Sequence, residues 1–457
     1  MKTKASFQTR QSPSVQLPLP NFDIRTTTNE KSNNIRNKLS IDDRMFHDWY
    51  RFVLSFPPHL VRDYLVDFGI TKGQIVLDPF CGTGTTIVEC QLNGIDSIGI
   101  EANPFPHFAS TVKTKWDIDP ELFCEHAEKI AKDALDEIAS QGINDNEQFN
   151  GNIEELNIKT VDKKQQRLLI KNSISPVPLH KTLVLRDHIE HWSSEPHYNH
   201  LLLALGNALV FSISNLHFGP EVGVRKVKKD SPVIEPWFYE INKIANDIKS
   251  VKKKTWANAN IYLGDSRQNE KLIKPCSIDA IITSPPYPNE KDYTRTTRLE
   301  SVLLGFMNDI QDLRKYKKTL LRSNTRGVYK GDEDHIWVNE NENITKIAQA
   351  IENRRIELNK NSGFEKLYST VTKLYFGGMA KHLTELKTVL KPGSRLAYVV
   401  GDQASYLRIM IRTGNLLAEI AQSMGYELIR IDLFRTRKAT ATRSELREEV
   451  VVLQWNG

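Results

Sequence analysis

The sequence predicts an α/β fold built on a wound, mostly parallel sheet with a reversed last strand. Seven short apolar runs, at about 74–78, 96–101, 259–263, 278–283, 395–401, 426–434 and 448–455, read as strands. The first six sit among helical patterns, the alternation that gives parallel strands joined by crossover helices. The last two are separated only by a short polar loop with no room for a crossover helix, so they should pair antiparallel.

Along the chain, residues 1–40 are rich in Asn, Gln, Ser, Thr and Pro with little apolar periodicity, and are expected to form a flexible arm. An aromatic lead-in follows, with Phe46, Trp49 and Tyr50, then Phe56-Pro57-Pro58-His59 ahead of an amphipathic helix over Leu60 to Phe68. Lys391-Pro392-Gly393 is a turn signal before the fifth strand, and Gly425 marks the entry to the sixth. Two stretches interrupt the regular text. Residues 115–255 are mostly helical in pattern, as over Pro120 to Ser140 and Tyr198 to Ser214, whereas 305–365 are polar and charged. The expected sheet domain is therefore 41–114 with 256–304 and 366–457, carrying an inserted helical region over 115–255 and a second polar insertion over 305–365.

Bulk properties narrow the class. A chain of 457 residues accommodates a large α/β domain and a second unit. A net charge of +6 favours an anionic partner only weakly. Cys81, Cys90, Cys124 and Cys276 lack paired ligand spacing, so no metal site is expected. Scattered cysteines, no apolar leader and a mean hydropathy of −0.44 point to a cytoplasmic protein, outside the membrane.

The first strand, Ile75-Val76-Leu77-Asp78, runs into Pro79-Phe80-Cys81-Gly82-Thr83-Gly84, after which Thr85 begins a helix. Glycines let the backbone approach a ligand closely, and a helix start offers free amides. The loop lacks the Gly-Lys-Ser or Gly-Lys-Thr ending of a phosphate-binding loop, and its spacing is not that of a dinucleotide fingerprint. At the end of the next strand stands Glu101, where a carboxylate can accept from two ribose hydroxyls or simply be solvated at the strand end. Asp265 closes a third strand, Ile261-Tyr262-Leu263-Gly264-Asp265, where a carboxylate can receive an adenine amine or simply cap the loop.

Far downstream, the run Ile278 to Thr283 ends in Ser284-Pro285-Pro286-Tyr287. An exocyclic amine on a base is a poor nucleophile because its lone pair is delocalised into the ring. Acceptors at the Ser284 hydroxyl and the Pro285 carbonyl can bind the amine hydrogens and favour a pyramidal nitrogen, with catalysis through positioning and fixed dipoles. The prolines stiffen the loop, and Tyr287 supplies a stacking face. In a duplex the target base must first be rotated out of the helix.

Asp78 to Thr86, Glu101, Gly264-Asp265 and Ser284 to Tyr287 together resemble the motifs of the S-adenosylmethionine-dependent DNA amino-methyltransferases, which act on cytosine N4 or adenine N6. The resemblance covers about 45–110, 258–300 and 370–455. It implies a seven-stranded, Rossmann-like methyltransferase sheet with a reversed last strand. It implies S-adenosyl-L-methionine held by Phe56, Asp78, Phe80, Gly82, Gly84, Thr85, Glu101 and Asp265, with Phe56 beside the methionine end, and catalysis by Ser284, Pro285, Pro286 and Tyr287. In that family the Ser form of the tetrapeptide is commoner among cytosine N4 enzymes and the Asp form among adenine N6 enzymes, so cytosine is the expected target and adenine the alternative. It implies, too, duplex DNA as partner, a nucleoid-associated location and a cognate restriction endonuclease acting on the same site. RNA guanine N2 methylation and a silent DNA-binding module are more distant readings.

Recognition of specific bases is assigned to 115–255, assisted by 305–365. Three basic stretches are candidate phosphate contacts or solvated faces: 223–254 with Trp237, Phe238 and Tyr239; Arg314 to Arg326; and the final hairpin with Arg435, Arg437, Lys438, Arg443 and Arg447. Tyr293 and Arg298 either support the base or pack a helix.

Overall fold

The computed structural model describes residues 14–20, 22–26, 39–51, 55–219, 221–251, 256–289, 291–438 and 444–457. Its strands are β1 (Ile24–Thr26), β2 (Ile75–Asp78), β3 (Asp96–Glu101), β4 (Leu216–Phe218), β5 (Val222–Val224), β6 (Ala259–Leu263), β7 (Ile278–Thr283), β8 (Leu390–Gly401), β9 (Glu427–Lys438) and β10 (Glu445–Trp455). The chain divides into two compact units, Lys38–Ser266 with Asp292–Leu320, and Met1–Asn37 with Arg267–Lys291 and Leu321–Gly457.

In the first unit β2, β3 and β6 run parallel, with Asp78 opposite Gly99 and Glu101 opposite Leu263. Val76 and Leu77 are fully buried, as expected of a parallel strand covered on both faces. Around these strands, helices Pro120–Ser140, Pro176–Glu190, Tyr198–Ala208 and Ile234–Ser250 close one large apolar core that includes Phe105, Phe123, Leu201 and Trp237. The aromatic lead-in belongs to that core. Phe46 stacks on Trp116 with centroids 4.0 Å apart, and the Phe46 N–H and Trp49 Nε1 donate to Asp247 Oδ2 at 3.0 and 2.8 Å.

The second unit orders its strands β1-β9-β10-β8-β7. β10 is antiparallel to both β8 and β9, while β7 pairs parallel with β8 and β1 with β9. The last long strand is thus the reversed one, slotted between its two predecessors. Among residues 1–40 the sequence pattern gave no strand, yet Ile24–Thr26 lies along β9 and Val15 bridges Ile409. Among the described residues no helix is long and apolar enough to cross a membrane.

Candidate active site

At the carboxyl end of β2 the chain leaves the sheet with Asp78 fully buried, its Oδ1 accepting the Phe80 N–H at 3.1 Å. The Cys81 N–H returns to the Ile100 carbonyl of β3 at 3.0 Å, so the glycine loop folds over the neighbouring strand. Gly82 and Gly84 carry φ of +52° and +83°, left-handed values that only glycine adopts without strain. A Cβ at Gly84 would stand 2.9 Å from that of Ser110, whereas one at Gly82 would meet nothing within 4 Å. Gly84 therefore packs tightly, and Gly82 opens its bare backbone to space. Thr85 begins the helix Thr85–Leu92. Glu101 Oε2 accepts the Gly82 N–H at 2.9 Å and Oε1 the Asn103 N–H at 2.7 Å. Burial pushes its carboxyl up to about 7, with these two donors pulling the other way. The Gly264 N–H bonds the Glu101 carbonyl at 2.9 Å, which sets Asp265 just past the end of β6. Phe56, half-buried, precedes the helix Pro58–Asp67. Phe56, Asp78, Phe80, Gly82, Gly84, Thr85, Glu101 and Asp265 thus all belong to one unit.

The tetrapeptide lies in the other unit, at the carboxyl end of β7. Ser284 Oγ donates to the Val399 carbonyl of β8 at 3.2 Å. A hydroxyl has one proton and two lone pairs, so this bond leaves Ser284 to act outward as an acceptor. Pro285 is buried, and Pro286 and Tyr287 are half-buried. The Tyr287 ring lies on the bare backbone of Gly401, at the end of β8, where a Cβ would be 2.8 Å from the ring edge.

Residues 7–108 match the sequence model of a family described as DNA methylase, of the N6/N4 group. That match and the relatives below support a DNA methyltransferase of the N4/N6 group. The methylase is 26% identical over 450 residues to the type II methyltransferase M.BsoBI of Geobacillus stearothermophilus, a match covering 88% of this chain and 82% of that one. It is 34% identical over 170 residues to M.AvaI of Nostoc sp., covering 36% of this chain and 34% of the relative. M.MjaII of Methanocaldococcus jannaschii matches at 34% over 134 residues, 28% of this chain and 24% of that one. The methyl donor of the family is S-adenosylmethionine. The residues present fit it: open backbone at Gly82, helix-start amides after Gly84, and carboxylates at Glu101 and Asp265 for hydroxyl and amine hydrogens.

Several basic side chains singled out in the sequence are held by the methylase itself. In the final hairpin, Arg435 makes a two-pronged bond to Glu448 at 2.6 and 2.9 Å, and Arg447 meets Asp402 and Glu449 at 3.1 and 2.9 Å. Arg443 lies outside the described residues, as do Lys252, Lys253 and Lys254. Lys317 pairs with Asp292 at 2.7 Å and Arg322 with Asp332 at 2.8 Å, while Arg314, Lys315, Lys318 and Arg326 are exposed. Trp237 is a core residue donating to the Leu201 carbonyl, whereas Tyr239, Arg225, Lys226 and Lys229 are exposed. Arg298 packs a helix, bonding the Thr294 and Leu168 carbonyls at 3.0 and 3.3 Å.

Two supporting residues escaped the sequence reading. One is Gly401. The other is Lys113, 1% exposed, whose Nζ donates to the Thr83 carbonyl of the glycine loop at 2.8 Å and to the Tyr50 carbonyl at 3.3 Å. Burial, reinforced by Arg51, lowers its pKa to about 7. The available signal was periodic: Phe105, Ala109 and Lys113 share one buried helical stripe, so a lysine stands where the period asks for an apolar residue.

Proposed function

We propose that this methylase transfers a methyl group to cytosine N4 in a specific duplex DNA site, as the modification member of a restriction–modification pair. The observation that carries the chemistry is Ser284, whose proton is committed to the Val399 carbonyl. Its oxygen then offers lone pairs to the amine hydrogens, and the Pro285 carbonyl adds a second acceptor. Binding those hydrogens draws the nitrogen out of conjugation and leaves its lone pair directed away from the acceptors. Tyr287 gives the flipped base a face, and its ring is held by the backbone of Gly401. Gly82, Gly84, Glu101 and Asp265 hold the nucleoside portion of the donor, with Phe56 beside its methionine portion. Bound S-adenosylmethionine supplies an electrophilic methyl on a sulfonium. In-line alignment carries most of the acceleration, so the reaction requires no covalent enzyme intermediate.

Serine in place of aspartate at position 284 favours cytosine N4 over adenine N6. The type II methyltransferases among the relatives support pairing with a nuclease. The helical insertion of 115–255 supplies the sequence reading, with exposed Arg225, Lys226 and Lys229 on phosphates. The test is to methylate duplex DNA with the purified chain, digest it to nucleosides and identify the product by mass. N4-methylcytosine is expected. N6-methyladenine would overturn the base assignment, and label entering RNA alone would overturn the DNA substrate.

A further inference from the structure

Within the helical insertion, the geometry points to a transition-metal site formed by His126, Glu195 and His197, which takes a zinc-class divalent ion and clips the insertion together. The three side chains come from two places in the fold. His126 lies within the helix Pro120–Ser140, whereas Glu195 and His197 lie in the turn between helices Pro176–Glu190 and Tyr198–Ala208. One ligand atom from each lies within 4.8 Å of the others. His126 Nδ1 and His197 Nε2 are 3.1 Å apart. Two nitrogens bound tetrahedrally to zinc at about 2.0–2.1 Å stand roughly 3.3 Å from one another, so the imidazole pair is already close to ligand spacing.

The framework holds this arrangement in place. The His126 ring packs on Trp192 with centroids 4.0 Å apart, and His197 stands edge-on to the core residue Phe123 at 5.6 Å. The turn is closed by the Glu195 N–H on the Trp192 carbonyl at 3.0 Å and the Tyr198 N–H on the Glu195 carbonyl at 3.1 Å. Two imidazoles and one carboxylate suit zinc, cobalt, nickel or copper, whereas calcium and magnesium ask for oxygen ligands throughout. Three protein ligands leave one position for water. A bound ion would tie the helix to the turn and replace the weak imidazole–imidazole hydrogen bond.

The test uses the untagged full chain, stripped with chelator and titrated with Co(II). Wild type should develop the visible band of a four-coordinate cobalt site at a stoichiometry near one, and zinc should displace it. Glu195→Gln should weaken cobalt at least about tenfold, and His126→Gln/His197→Gln should abolish the band. Zinc should raise the unfolding midpoint of wild type but not of the double variant, because only the wild type binds the ion in its native state. Circular dichroism of the metal-free variants checks that they fold, and the Glu195→Gln titration stands as an independent test should the double variant not fold. A wild type with no cobalt band, or a band unchanged by Glu195→Gln or by the double substitution, would overturn the proposal.

Discussion

Replacing Gly401 by alanine puts a methyl group where the Tyr287 ring now rests. The new Cβ would stand 2.8 Å from Cε2, 3.2 Å from Cδ2 and 3.4 Å from Glu448 Cγ. Carbon atoms in ordinary contact are about 3.5–4.0 Å apart, so the ring must retreat by roughly 0.7 Å. No positive φ constrains Gly401, so the effect acts through the ring and not through backbone strain. A displacement approaching 1 Å in a positioned catalytic group costs on the order of 100-fold in rate, and a fall of about 10- to 100-fold in single-turnover methyl transfer is expected. Cofactor affinity, measured by calorimetry, should stay within about twofold, because the glycine loop belongs to the other compact unit. Tyr287→Ala should likewise lower turnover more than cofactor affinity. Gly401→Ala should then add little in the Tyr287→Ala background, since the clashing ring is gone. Transfer of labelled methyl to duplex DNA at wild-type rate by Gly401→Ala would refute the role given to Tyr287. An equal cost with and without the tyrosine ring would refute it as well.

Three further outcomes are expected. With the Glu101 carboxyl pushed up to about 7 and the ionised form accepting the ribose hydroxyls, cofactor binding should tighten about tenfold from pH 6 to 8; Glu101→Gln should bind weakly with no such slope, as calorimetry at both pH values can check. Lys113 is depressed to about 7 from 10.5, so the cost of its buried charge is fully present below about pH 7. Between about pH 7 and 10.5 the unfolded chain holds the proton that the folded chain has lost; there stability should rise by up to about 1.4 kcal/mol per pH unit relative to Lys113→Met, read from urea unfolding of both proteins. Gly377→Ala, inside the helix Tyr368–Leu386, would drive a Cβ into the Asp334 carbonyl group. The gain of about 1 kcal/mol in helix propensity should be overwhelmed, and urea unfolding should report a loss of at least about 2 kcal/mol.

Strands such as β2 and β7 were legible because each is a short apolar run covered on both faces, and such runs carry their own signal. Their ends were less legible. Lys391-Pro392-Gly393 reads as a turn, yet β8 begins at Leu390 and passes through it, with the irregularity absorbed as a register shift between Ile278 and Ala280 on β7. β1 is three residues of mixed character, and pairing with β9 alone makes it a strand. Likewise the tetrapeptide announced itself while its supports did not. Val399 and Gly401 sit in an ordinary buried strand, and nothing in their neighbours reveals that one carbonyl takes the Ser284 proton or that one missing side chain admits the Tyr287 ring.

The same division explains why the histidine cluster was invisible. A search for ligand spacing looks along the chain, where cysteine pairs betray themselves; His126 and His197 are 71 residues apart and become neighbours only when the turn packs against the helix Pro120–Ser140. Local chemistry, such as a glycine loop or a Ser-Pro-Pro-Tyr turn, is written in consecutive residues because one backbone segment must deliver it. Chemistry that depends on two elements meeting is written in their packing. In this methylase the groups proposed to react are of the first kind and their supports, Lys113 and Gly401, of the second. Substitutions at those two positions therefore test whether the folded arrangement, beyond the motifs, sets the rate.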